Sequence, residues 1–210
     1  MILLHETQTF SPASLYKEYI SVEEVRIEAC ENYQKRSLRN KYYILTSQGP
    51  LAMTIPLKSG KNAQMPIKEV AISYEENWTK HHLQTLKSAY GKSPYFEFYF
   101  DKIENLFHKN IPGLYDFNMS ALALMLKLLK LPVIVAETKE YHKETDNPII
   151  NQRNKFVIQP EIHEMKEVPY VQVWSKPHIF YQGLSILDTL FCVGPQTIQV
   201  LTKLHGNTYE

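Results

Sequence analysis

The stretch from Glu28 to Asn40, EACENYQKRSLRN, holds the densest set of side chains that could bind a ligand. Lys35, Arg36 and Arg39 fall close together there. Arg grips phosphate or carboxylate through two parallel hydrogen bonds, and Lys adds a compact point charge. The same composition also describes a solvated loop, so the anion site and the bland loop both stand at this point. His82 is the second candidate. Trp78, His82, Leu86 and Tyr90 recur every fourth residue and share one helical face, where an imidazole must be hydrogen-bonded or functional. General base and satisfied core histidine both remain open, while His81, about 100° further round, turns to solvent. Asp188 stands among Leu187, Leu190 and Phe191, as a functional acid or as a capping or ion-paired one.

Other chemistries find no support. No CxxC or HxxE spacing marks a metal site, and with 7 glycines there is no Gly-rich phosphate loop of the Rossmann or Walker kind. No cofactor and no metal are expected. Cys30 and Cys192 read as free thiols, since nothing suggests a disulfide framework. Lys and Arg total 23 against 22 Asp and Glu, so the chain has no overall field to attract nucleic acid or an anionic membrane, and any anion site must be local. Residues 119–131 form the longest apolar stretch. Lys127 and Lys130 interrupt it, and it is too short to span a bilayer, so no membrane insertion is expected. No secretory signal opens the sequence, which predicts a cytoplasmic protein.

The elements that must carry these residues come from periodicity. Residues 2–4 read as a strand, and 13–20 as a helix opened by Ser11 and Pro12. Val25 and Ile27 alternate with Arg26 and Glu28 in a second strand, giving a βαβ opening. Residues 42–46 and 51–57 flank the turn SQGP as a hairpin, and 67–72 return as another strand in a largely antiparallel middle. Helical periods follow at 78–90, 95–107 and 118–131, the last ended by Pro132 before a strand at 133–135. Residues 137–155 are polar, without apolar periodicity, and read as a surface excursion. Residues 170–174 are strand-like, and helices at 185–191 and 195–204 close the chain. With 210 residues, 44% of them hydrophobic and 21% charged, one domain over residues 1–210 is expected. The fold class is α/β, a mixed parallel and antiparallel sheet flanked by helices, with α+β as the alternative.

Several stretches together resemble the WbqC-like protein family: Glu28 to Asn40, Leu51 to Pro56, Trp78 with His82, Ser88-Ala89-Tyr90 and Ser93-Pro94-Tyr95-Phe96. Leu114 with Asn118, Gln172-Val173, and Leu184 to Asp188 with Leu190-Phe191 and Gly194-Pro195 continue the likeness. Near the start the family has a Gln-Pro-x-Tyr type segment, where this chain reads HETQTFSP and keeps Phe10 and Pro12.

The resemblance implies a bacterial cytoplasmic protein of lipopolysaccharide or other surface-polysaccharide biosynthesis. The implied activity is a transferase moving a small acyl or aminoacyl, glycine-like, group onto an amino sugar. Its partners would be small anionic molecules: a nucleotide sugar or carrier-linked sugar, and an acyl donor. Carried onto this chain, Lys35, Arg36 and Arg39 would hold the anionic handle, with Asn32, Tyr33, Asn40 and Tyr90 in the same pocket. His82 would be the general base, with Glu28 or Asp188 orienting its ring, all meeting over one cleft. A non-catalytic carbohydrate- or nucleotide-binding module, using the aromatic run from Tyr95 to Phe100, and a scaffold of a biosynthetic complex are the rival readings.

Overall fold

The computed structural model describes residues 1–58, 64–145, 147–156, 169–174 and 179–203. The apolar opening forms β1 (Ile2–Glu6), buried over almost its whole length, as a strand inside a parallel sheet must be when both of its faces are covered. On one side β1 pairs in parallel with β2 (Glu24–Glu28), Leu4 opposite Arg26, and on the other with β6 (Ile149–Asn151), Leu4 opposite Asn151. Strand β5 (Ile134–Glu137) adds in parallel to β2, so the order is β5-β2-β1-β6.

Helix α1 (Ala13–Ile20) makes the crossover from β1 to β2 and buries Leu15, Tyr16 and Tyr19. The longer connection from β2 to β5 carries the antiparallel hairpin β3 (Lys41–Thr46) and β4 (Gly49–Thr54), then α2 (Trp78–Tyr90), α3 (Phe96–His108) and α4 (Leu114–Leu129). Gly49 sits in the hairpin turn at φ +105°, a conformation that a residue with a Cβ adopts only under strain. The Asn77 side chain caps α2 by accepting from the Lys80 amide at 3.2 Å. Lys130, left-handed at φ +55°, ends α4 just before Pro132. Helices α5 (Ile186–Val193) and α6 (Thr197–Lys203) follow. One buried apolar cluster joins these elements. Within it the Phe10 ring meets Tyr42, Phe107 and Phe117 at centroid distances of 5.2, 6.0 and 6.4 Å.

The structure is thus the mixed α/β fold expected, with parallel and antiparallel pairing and flanking helices. Several local readings change. The antiparallel pairing is confined to the separate two-stranded hairpin sheet. Residues 67–72 form a 3-10 turn (Ile67–Glu69) and isolated bridges rather than a strand. Their buried apolar positions, Ile67, Val70 and Ile72, are spaced by three and then two, which no strand period accommodates. Residues 170–174 carry no strand. The polar excursion from 137 to 155 supplies β6, a three-residue strand too short to show a period of its own. The end of the last expected helix, at Leu204, lies outside the described residues. Cys30 is an exposed and Cys192 a buried free thiol. Among the described residues, no helix is long and apolar enough to cross a membrane.

Candidate functional site

The strand order fixes where a site belongs. The chain winds outward from β1 through β2 to β5 and then returns to the other side of β1 as β6, so the direction of winding reverses between β1 and β6. In open parallel sheets the crevice beyond the carboxyl ends of such a pair is where ligands sit. Glu6 is the last residue of β1, and Asn154 lies three residues beyond β6. Both line a cavity of about 120 Å³.

The other wall is the loop singled out by its basic residues. Lys35, Arg36, Arg39, Lys41 and Tyr43 face the same cavity. The loop is pinned at its start, where the Tyr33 amide donates to the Met65 carbonyl at 2.8 Å and the Ile67 amide to the Glu31 carbonyl at 2.9 Å, and near its end, where the Thr9 amide donates to the Leu38 carbonyl at 2.9 Å. Arg36 holds a left-handed backbone at φ +57°. From beneath, the Asn118 amide of α4 donates to the Arg39 carbonyl at 2.7 Å, and the Thr9 hydroxyl lies 2.7 Å from Asn118 Oδ1. Lys35 and Arg36 are exposed.

Arg39 is different, being fully buried. Its Nε donates to Glu31 Oε1 at 2.7 Å and its Nη2 to Glu31 Oε2, and Nη2 also donates to Asn154 Oδ1 at 3.0 Å. Nη1 has no hydrogen-bond partner among the described residues. A buried guanidinium N–H without an acceptor is costly unless a water or a bound group meets it. Burial pushes the Glu31 carboxyl up, against the pull of Arg39, and the nearby charges of Glu6 and Glu28 push the same way. Glu6 accepts from Gln8 Nε2 at 2.9 Å and from the Asn154 amide at 2.8 Å. One lone pair on each of its oxygens stays free for a ligand.

Glu28 ends β2 beside this cavity's strand and is consumed by neighbours. Its Oε1 accepts from the Cys30 amide at 3.0 Å and Thr138 Oγ1 at 2.5 Å, and its Oε2 from Arg153 Nη1 at 2.8 Å. Tyr33 donates its hydroxyl to Asn40 Oδ1 at 2.9 Å, and Asn40 donates to the Ile55 carbonyl at 2.9 Å, so both brace the loop. Asn32 makes a bridge to Pro66 at its edge.

The structure does not bring His82 to the cavity. On β3, Lys41 and Tyr43 face it, and Tyr42 between them points to the opposite side, as strand alternation requires. There its hydroxyl donates to His82 Nδ1 at 3.0 Å, and His82 Nε2 donates to the Thr54 carbonyl at 3.2 Å. The imidazole packs edge-on against Trp78 at 5.0 Å between ring centroids. Burial pulls its pKa down to about 4. Both ring nitrogens are occupied, which is the arrangement of a core histidine, not of a base awaiting substrate.

Asp188 and Tyr90 form a third group elsewhere. Tyr90 donates to Asp188 Oδ1 at 2.8 Å and accepts from the Leu45 amide at 2.9 Å; Tyr170 and Gln172 donate to Oδ2 at 2.5 and 3.1 Å. Burial raises the Asp188 carboxyl despite these donors. Neither Asp188 nor Glu28 touches His82 in a hydrogen bond, so the proposed orienting pair is not assembled. Among the described residues no group of three or more His, Cys, Asp or Glu side chains could hold a metal ion. The sequence reading passed over Glu6, Glu31, Lys41, Tyr43 and Asn154. Only the position of Glu6 at the end of an apolar strand could have signalled it.

Fold and site together define an α/β protein with a cation-lined cavity at the switch point of a parallel sheet. The chain belongs to the WbqC-like protein family, whose model matches residues 10–155, a stretch that takes in the basic loop, Asn118 and Asn154 but not Glu6 or Asp188. No curated protein and no solved structure matches the chain.

Proposed function

We propose that the protein is a transferase of surface-polysaccharide biosynthesis that seats the anionic end of a small substrate in the switch-point cavity. The group moved is a small acyl or aminoacyl unit and the acceptor an amino sugar. The observation that carries the reading is the cavity itself, on which Lys35, Arg36 and Lys41 converge with the buried Arg39, locked in place by Glu31 and Asn154, behind them. Membership of a family linked to polysaccharide biosynthesis supplies the substrate class. In this reading Glu6, not His82, is the base: it is the carboxylate on the cavity wall and accepts the proton that the acceptor amine sheds as its nitrogen bonds to the acyl carbon. The bond from that carbon to the donor breaks, the donor's leaving group departing with the bonding pair.

A second reading, a binding module without turnover, is favoured by one observation. Among the described residues the cavity wall carries neither His nor Cys. A thermal-shift screen of nucleotide sugars, sugar phosphates and acyl donors tests the site, because a ligand of the native state raises the melting temperature by an amount that grows with its concentration relative to its Kd. Stabilisation that disappears in Arg36→Gly supports the cavity; the same stabilisation in wild type and variant removes it. Product formation from a stabilising pair, lost in Glu6→Gln even at ligand concentrations that saturate the variant, separates enzyme from binder.

A further inference from the structure

We infer that the ligand class of this cavity is a phosphate monoester of a small sugar, its phosphoryl group held as a dianion by the cations and a neighbouring hydroxyl or ammonium of the sugar donating to Glu6. The inference rests on the reading of the cavity as an anion site and narrows it. Size argues first. About 120 Å³ of partly open space holds a phosphoryl group and part of one ring, whereas pockets that engulf drug-sized ligands run to several hundred Å³. A nucleoside therefore stays outside.

Charge argues second. With Arg39 paired to Glu31, the cations Lys35, Arg36 and Lys41 face the space against one carboxylate among the described residues of the wall, Glu6, in a chain whose net charge is only +1. A monoanionic carboxylate leaves much of that excess uncompensated. A phosphoryl group carries close to two charges at neutral pH and loses one as it is protonated near pH 6. Geometry argues third. Arg39, fixed by Glu31, backs the cavity as a buried charge whose orientation costs the ligand nothing, and the exposed Lys35 and Arg36 supply the donors to the phosphoryl oxygens. Glu6, held by Gln8 and the Asn154 amide, presents its free lone pairs to whatever donor the phosphate carries beside it.

Calorimetric titration of the full chain with glucosamine 1-phosphate, glucose 1-phosphate, glucuronate, inorganic phosphate and UDP decides the matter. The sugar phosphates should bind at least tenfold tighter than glucuronate at pH 7.5 and lose most of that advantage at pH 5.5. Lys35→Ala with Arg36→Gly, at exposed positions outside the core, should weaken them tenfold or more. Glu6→Gln should weaken the sugar phosphates and leave inorganic phosphate unchanged, the phosphate serving as its own control for folding. Glucuronate binding as tightly as the phosphates, or UDP binding tighter than both sugar phosphates, overturns the inference while the anion site stands. No binding by any of the five removes the anion site itself.

Discussion

Two polar regions lie on opposite sides of strand β3. On one side Lys41 and Tyr43 face the cavity at the ends of β1 and β6, where the charges are in surplus and a buried donor is unsatisfied. On the other, Tyr42 meets His82, and further along Tyr90 meets Asp188; each of these side chains has its partners and none of them faces the cavity. The first region leaves Lys35, Arg36 and Lys41 without an ion pair among the described residues; the second uses polar groups to specify its own packing. A polar residue on the inward face of a helix is therefore weaker evidence for chemistry than one at the carboxyl end of a buried strand. The helix face is closed over by neighbours, while the strand end opens into the crevice that the topology leaves.

The largest effect that can break this comparison is at Arg39. Arg39→Met leaves Glu31 buried without its cation, which should cost about 3–5 kcal/mol in denaturant unfolding. Adding Glu31→Leu should restore most of the loss, since a buried pair replaced on both sides by apolar groups is often neutral. A double variant as unstable as the single one would mean that the pair is not the structural half of the site. Next comes His82→Ala, which removes bonds to Tyr42 and Thr54 and a ring packed against Trp78. A loss of about 2–3 kcal/mol in stability is expected, with ligand affinity of the folded protein unchanged. Reduced affinity at unaltered stability would return His82 to the site.

The sequence carried the basic half of the cavity and not the acidic half, for a physical reason. Lys35, Arg36 and Arg39 announce themselves because three cations crowd into a loop with few apolar residues. Glu6 ends a strand of Ile, Leu, Leu and His and reads locally as its polar stop; only the placement of β6 beside β1 makes it a wall. That placement depends on Ile149–Asn151, three residues whose pairing across more than 140 positions has no local signal. Helices α2 and α3 were legible because thirteen residues each show the apolar stripe over three turns and more. His82 was read correctly as inward-facing, but periodicity gives the direction of a side chain and not the identity of what it meets. The acceptor at Thr54 and the donor at Tyr42 both come from the hairpin.

Acid sharpens the contrast by a smaller amount. Because burial holds the His82 pKa at about 4, the unfolded chain binds a proton there from about pH 6.5 downward that the native chain refuses. Stability therefore falls as pH drops through that window, by up to about 1.4 kcal/mol per pH unit from this residue. His5, buried against Tyr19 with its pKa also lowered, acts in the same direction. The raised carboxyls of Asp188 and Glu31 act in the opposite one, since the native chain keeps protons there that the unfolded chain sheds. The difference between wild type and His82→Gln isolates the first contribution. Unfolding curves should diverge from neutral pH toward pH 4.5, with the wild type losing more, and parallel curves would mean that His82 is not held neutral.

The smallest effect on stability belongs to Lys35 and Arg36, and it bears most directly on the comparison. Both side chains are exposed, and neither makes an ion pair among the described residues. They stand close to Arg39 and Lys41 on one cavity wall, so in the unliganded protein they repel as much as they support. Lys35→Ala with Arg36→Gly should change the unfolding free energy by no more than about 0.5 kcal/mol, and the glycine relieves the left-handed backbone at position 36. Salt should raise the melting temperature of the wild type more than that of the variant, because screening removes a repulsion that the variant no longer has. A variant that melts well below the wild type in buffer would show that these two cations hold the loop together. The surplus charge would then be part of the packing, and the two sides of β3 would differ in composition but not in kind.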